Sequence, residues 1–244
     1  IVMIDLVRLF DSWIGFLPVS IKQSSFTAPI LGSVVVLIVV SLLAYGGWNA
    51  QNTQIKNYSV KISKPSSDLK KLNAVMVSDI HLGTIVNSNM LERMVNMVNG
   101  LKPDIIFLAG DIIDDDIEPF IKQNMYETLS KLKSKFGVFA VPGNHEYFGG
   151  QYERIIQYYT NSGIQVLNDR YVKLEDSIYI VGREDKALNH TIGKPRIDLS
   201  DIMKDVDKSL PIILMDHQPV DLEKAESNSV DLQFSGHTHK GQIF

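Results

Sequence analysis

The pattern of apolar and polar positions changes character along the chain. From Gln23 to Ile55 no residue carries a charge, and the centre of that stretch, Ile30 to Gly47, reads ILGSVVVLIVVSLLAYGG. About 20 mostly apolar residues in helical form span a bilayer core, and residues 28–48 supply them. Tyr45 and Trp48 stand at the distal end, where amphipathic rings favour the water interface. A buried core helix or a pair of strands are the competing readings, since Val and Ile also build strands. Length and uncharged flanks predict a transmembrane helix over 28–48. The preceding segment, 1–27, sets apolar residues against Asp5, Arg8, Asp11 and Ser12 at helical spacing. It reads as the end of an earlier membrane segment or as an interfacial helix. Arg8 and Lys22 on one side and Lys56, Lys61 and Lys64 on the other are too evenly matched to orient the span.

Beyond the span the pattern becomes that of a water-facing linker and then of a folded domain. Residues 49–72 are polar, include Pro65-Ser66-Ser67, and read as a linker with a first strand near Tyr58 to Ile62. The remainder, 73–244, carries short apolar runs at Ala74–Ser78, Ile105–Ala109, Val138–Val141, Ile178–Val181, Ile212–Met215 and Leu232–Phe234. Runs of this length bounded by Gly, Pro or Asp predict buried strands. Helical periodicity falls between several of them. Ser88 or Asn89 caps a helix stopped by Gly100, a second runs from about Glu118 to Phe136, and a third from about Gln151 to Ser162. Strands alternating with helices, then closer-spaced strands, predict an α/β protein with a mixed sheet or two sheets.

Composition narrows the chemistry. The 244 residues include no cysteine, which removes disulfides, thiolate metal sites and cysteine nucleophiles together. A formal net charge of −4 argues against nucleic acid as a partner, because phosphate binding normally leaves a basic stripe.

The polar residues that follow the strands then become informative. Successive strands end in Ser78-Asp79-Ile80-His81, Gly110-Asp111, Gly143-Asn144-His145-Glu146, Asp216-His217 and Gly236-His237-Thr238-His239. Open α/β sheets bind ligands at the carboxyl ends of their strands, so five strands deliver Asp, His and Asn to one edge. Of six histidines, five lie in these clusters, and His190 alone sits in a polar loop as a structural or solvated residue. Any one cluster has a bland explanation as a turn or a hydrogen-bonded strand end. Five together do not. Imidazole, carboxylate and amide oxygen without thiolate suit Mn, Zn or Fe. The donors outnumber the four that one tetrahedral ion needs and fit two ions able to clamp a phosphoryl displacement. Asp114, Asp115 and Asp116 read as a solvated acidic loop, with a supporting role for Asp114 as the lesser alternative.

In this order the blocks Asp79-x-His81, Gly110-Asp111, Gly143-Asn144-His145-Glu146, His217 and Gly236-His237-x-His239 resemble those of the calcineurin-like metallophosphoesterases. The forms SDIHLG, PGNHEYF, MDHQP and SGHTHKGQ are most similar to a membrane-associated bacterial branch, which includes UDP-diacylglucosamine pyrophosphatase-like and cell-wall phosphoesterase-like enzymes. The resemblance implies a four-layer αββα sandwich with a dinuclear site, two divalent ions with Mn favoured, and the hydrolysis of a phosphomonoester, phosphodiester or pyrophosphate. It places Asp79, His81 and His239 on one ion, Asn144, His217 and His237 on the other, and Asp111 as the bridge. It further implies attack by a metal-bridged hydroxide, with His145 as general acid and Glu146 orienting its ring. The expected partners are the membrane and a phosphorylated small-molecule or lipid-linked substrate. The expected location is a bacterial cell membrane, with a lean to the extracytoplasmic side. Such domains continue beyond the last motif, so this chain is expected to be cut short after Phe244. The competing class is a catalytically weak membrane sensor or scaffold that keeps the metal-binding fold.

Overall fold

A computed structural model describes residues 2–18, 26–66 and 69–239. It divides into two compact units, residues 1–59 and 60–244. The first holds helix α1 (Val2–Ile14) and helix α2 (Thr27–Gln51). Within α2, the uncharged stretch Pro29–Asn49 is long and apolar enough to cross a membrane. Most of its described large side chains are exposed, including Leu37, Leu42, Leu43 and Trp48, as expected of a helix apolar all round rather than on one stripe.

The second unit is built on eight strands in two sheets. The first sheet, in the order β1 (Ala74–Val77), β2 (Ile105–Ala109), β3 (Val138–Val141) and β4 (Ile164–Val166), is parallel throughout. In the second, β5 (Arg170–Leu174) runs antiparallel to β6 (Ile178–Gly182), and β7 (Ile212–Met215) and β8 (Leu232–Phe234) follow in parallel. Side chains alternate across a strand, and here each alternate set has its own apolar destination. Ile106 and Leu108 of β2 pack with Leu91, Val95 and Val98 of helix α3 (Ser88–Gly100). Ile105 and Phe107 of the same strand turn the other way, to meet Ile178 and Ile180 of β6 and Ile213 and Met215 of β7. Tyr179, Val181, Ile212 and Leu214 then pack outward on Leu199, Ile202 and Ala225. The layers are therefore helix, sheet, sheet, helix. Because the central strands are covered on both faces, they read in sequence as unbroken apolar runs instead of alternating ones.

Three local expectations differ from the structure. Residues 58–62 form no strand. Tyr58 and Val60 are exposed, and a strand needs a neighbour to take its backbone hydrogen bonds. The helix expected over 118–136 is two short ones, α4 (Glu118–Lys122) and α5 (Met125–Leu129). Between them Asn124 adopts a left-handed conformation, φ 51°, which Asn tolerates better than most residues. Phe120, Met125 and Leu129 are buried despite the break, so the apolar spacing continues across it. Strands β4 and β5 are not marked by apolar runs: β4 has only three residues, and Arg170 and Lys173 interrupt β5. The helix expected at 151–162 is present as α7 (Tyr152–Asn161), preceded by the single turn α6 (His145–Phe148).

Phe107 is fully buried, with its ring centroid 5.0 Å from that of Phe234 in the facing sheet. Phe107→Ala should destabilise the second unit by about 3–5 kcal/mol, read as a lower urea midpoint by circular dichroism with the unfolding slope unchanged.

Candidate metal centre

Parallel strands in both sheets bring their carboxyl ends to one edge, and the nine residues singled out in the sequence all gather there. Two groups of donors form. Asp79, His81 and His239 place donor atoms within 4.8 Å of one another, and so do Asp111, His217 and His237. In the first group His81 Nε2 lies 3.3 Å from His239 Nε2, which lies 3.5 Å from Asp79 Oδ1. In the second, His217 Nε2 is 3.0 Å from Asp111 Oδ2 and 3.2 Å from Asn144 Oδ1. Asp111 Oδ2 faces both groups, since it also lies 4.0 Å from His81 Nε2. His217 Nδ1 is 2.8 Å from the carbonyl oxygen of Ala109. That contact puts the proton on Nδ1 and turns Nε2 toward the site, the arrangement that orients a metal-binding imidazole.

The backbone is bent to achieve this convergence. Asp79, His81, Asp111, His237 and His239 all have φ between 45° and 69°. Non-glycine residues in that region cost on the order of 1–3 kcal/mol each and cluster at functional sites. Gly110, at φ +84°, is required outright, because a Cβ there would stand 2.5 Å from His217 Nδ1. Gly236 meets the same limit, because a Cβ would strike the Asp79 carboxylate.

Electrostatics follow from the crowding of nitrogen and oxygen donors. Burial, aided by the adjacent His145 imidazole, lowers the pKa of His81 and favours the neutral ring that binds a cation. Burial opposes a charge on His217 as well, but the hydrogen bond and charge of Asp111 prevail and raise its pKa to about 9. The same partner holds Asp111 below the usual carboxylate range in spite of burial.

Glu146 is not where the sequence reading put it. Its side chain is fully buried and does not orient the His145 ring. Oε1 accepts from the backbone N–H of Ile112 (2.9 Å) and Ile113 (3.1 Å) and from Tyr159 Oη (2.8 Å). Oε2 accepts from the backbone N–H of Asp111 (3.0 Å) and Gly143 (2.7 Å). Five donors to two oxygens describe a carboxylate that fastens the Asp111 loop to the Asn144 loop. Burial, and after it the charge of Asp111, raises its pKa, and the donors work against that.

The acidic loop is solvated as expected, with Asp115 and Asp116 exposed, and it also reaches His145. His145 Nδ1 lies 2.8 Å from Asp115 Oδ1 and 3.3 Å from Asp114 Oδ1, and its ring stands edge-on to His81, centroids 4.4 Å apart. The available signal was position: both carboxylates follow Asp111 on the same strand end. Asp216, in contrast, turns away from the metal donors, to Arg183 (3.3 Å) and Arg196 (3.0 Å). His190 is on an exposed one-turn helix, α8 (Ala187–Thr191), outside the site.

The calcineurin-like phosphoesterase family pattern matches residues 72–241, and the chain belongs to that family. It is 31% identical over 223 residues to a zebrafish (Danio rerio) transmembrane protein with a metallophosphoesterase domain, covering 87% of this chain and 51% of that protein. It is 34% identical over 212 residues to a metallophosphoesterase of Campylobacter jejuni, covering 85% and 54%. The chain thus spans about half the length of these curated relatives. The crystal structure of TT1561 of Thermus thermophilus aligns with 68% of this chain and 81% of its own, at 11% identity and a TM-score of 0.47.

The donor set fits divalent cations: imidazole, carboxylate and amide oxygen converge without thiolate. A cation at Asp111 and His217 competes with the proton His217 otherwise keeps. Without a cation, the stability that the raised pKa of His217 contributes is fully present below pH 6.5, so long as Asp111 stays ionised, and is lost as pH rises through about 9. Metal affinity should accordingly rise over that interval with release of a proton, measured by calorimetry in buffers of different ionisation enthalpy. Glu146→Gln sets an amide N–H₂ against backbone N–H donors. It should cost more than about 2 kcal/mol in urea unfolding and weaken metal binding, while Glu146→Asp loses less.

Proposed function

We propose that this chain is the catalytic part of a membrane-associated, two-metal phosphoesterase that cleaves a phosphomonoester, phosphodiester or pyrophosphate. The observation that carries the reading is Asp111 Oδ2, which faces both donor groups, with His145 at their shared border. Asp79, His81 and His239 would hold one cation, Asn144, His217 and His237 the other, and Asp111 would touch both. The bound cations supply Lewis acidity and a water of lowered pKa. Manganese is favoured by a donor set of imidazole, carboxylate and amide oxygen.

The rest of the chemistry belongs to the chain. His145, at the border of the two donor groups, is the imidazole left to face a phosphoryl group. Asp115 Oδ1 and Asp114 Oδ1 stand 2.8 and 3.3 Å from His145 Nδ1, on one side of the ring. Nε2 of that ring is then the nitrogen that gives a proton to the departing oxygen. The uncharged stretch Pro29–Asn49 supports attachment of the same polypeptide to a membrane, and attachment supports a lipid-linked or envelope substrate.

Protein reconstituted with Mn²⁺ should hydrolyse bis-p-nitrophenyl phosphate, and His145→Ala or Asp111→Asn should reduce kcat by about 10²-fold or more. Inactivity toward mono- and diesters with Mn, Zn, Fe and Co would refute the enzyme reading. Elemental analysis finding fewer than about 1.5 ions per chain would refute the two-metal site.

A further inference from the structure

Beside the metal centre, a second polar cluster joins the two sheets and takes no part in holding a cation. Glu184 stands just past β6, in the second sheet, whereas α6, which carries His145, follows β3 in the first. Tyr147 Oη donates to Glu184 Oε2. Tyr152 Oη lies 3.1 and 3.2 Å from the two oxygens of the same carboxylate, and accepts from Asn168 Nδ2 at 2.5 Å. The rings of Tyr147 and Tyr152 stack, with centroids 4.4 Å apart and planes 11° from parallel.

Glu184 is itself anchored. Its backbone N–H donates to Asp169 Oδ1 at 2.9 Å, and Arg196 Nη1 donates to its carbonyl oxygen at 3.2 Å. Tyr147 is only 3% exposed. Phenylalanine would fill its space with no hydroxyl to satisfy, so packing does not explain the polar group. Burying hydroxyls against a carboxylate is unfavourable unless the network is complete, and a complete network fixes geometry.

The turn that carries His145 is held on one side by Glu146 and by the His145 N–H on Asp111 Oδ1 at 2.9 Å, and Tyr147 is its hold on the other side. Helix α6 has four residues and is closed by backbone contacts of Tyr147 N and Phe148 N to the Asn144 carbonyl, 3.1 and 3.3 Å. Residues two apart on a helix point to different sides. A grip on Tyr147 from behind therefore sets the rotation that aims His145 at His81 and the acidic loop.

We propose that Glu184 is a positioning residue which, through Tyr147, holds the His145 turn in its working orientation across the gap between the sheets. The proposal rests on the reading of His145 as general acid. Two diesters separate its consequences: bis-p-nitrophenyl phosphate, whose leaving group needs little protonation, and diphenyl phosphate, whose leaving group needs more. With the Mn²⁺-loaded full chain, His145→Ala should lose at least about tenfold more kcat on diphenyl phosphate than on the nitrophenyl ester. Tyr147→Phe and Glu184→Leu should show the same selective loss with unchanged metal content, and Glu184→Gln, which keeps an acceptor, should restore most of it. The imidazole NMR resonances of His145 should shift in Tyr147→Phe while those of His190 stay in place.

An equal loss on both esters in Tyr147→Phe, with His145→Ala still selective, would overturn the proposal and leave the general acid standing. No selectivity in His145→Ala would sink both. Should Glu184→Leu fail to fold, Tyr147→Phe decides, since it removes one oxygen and leaves the ring.

Discussion

One buried carboxylate makes the rest of the site possible. The loops after β2 and β3 both leave the sheet at sharp turns, and their backbone N–H groups face inward, away from water. Each such group left unpaired would cost on the order of 1–3 kcal/mol. Glu146 takes four of them, together with the Tyr159 hydroxyl, on two oxygens. Its side chain thereby fixes the spacing of Asp111 and Asn144, which otherwise belong to separate loops. Burying a charged group is unfavourable in itself, and this one is tolerated because every donor around it is satisfied. Asp111 can therefore point one oxygen at His217 while its other accepts from the His145 N–H at 2.9 Å.

The layered core supplies the platform on which those loops stand. Every central strand sends one set of side chains to a helix layer and the alternate set to the opposite sheet. A strand packed on both faces slides little, so its last residue is held where the loop begins. Past the strand ends of the site, Asp79, His81, Asp111, His237 and His239 take left-handed backbone conformations. The satisfied hydrogen bonds of Glu146 work against that strain. A rigid double sheet and strained loops are two parts of one device: the first resists the collapse that the second would otherwise undergo.

The architecture was largely legible before any coordinates, for a physical reason. Ile105–Ala109 and Ile212–Met215 are uninterrupted apolar runs, and only a strand covered on both faces needs such a run. Asp79, Asp111, Asn144, His217 and His237 stood out because each follows a run of that kind. Where the structure departs from the sequence pattern, one cause is local and the others are contacts far apart in sequence. Residues 118–136 carry an apolar period that is satisfied equally by one helix or by two, and the left-handed turn at Asn124 chose between them. Residues 58–62 have strand-forming side chains but no partner strand among the described residues. Residues 170–174 have a partner in β6 and form a strand although Arg170 and Lys173 interrupt their apolar positions.

The sequence alone determined the donor types, their order and their delivery to one edge, because apolar runs and the polar groups that end them are local properties. It did not determine which polar side chain serves which purpose. Glu146 is adjacent to His145 in the chain yet reaches backward to the Asp111 loop. Asp115 belongs to a solvated acidic turn and also lies against the His145 ring. Glu184, distant in sequence from both, holds the far side of the same turn. Direction and partner depend on where the folded backbone places unsatisfied donors and charges, and that is settled only when the two sheets meet.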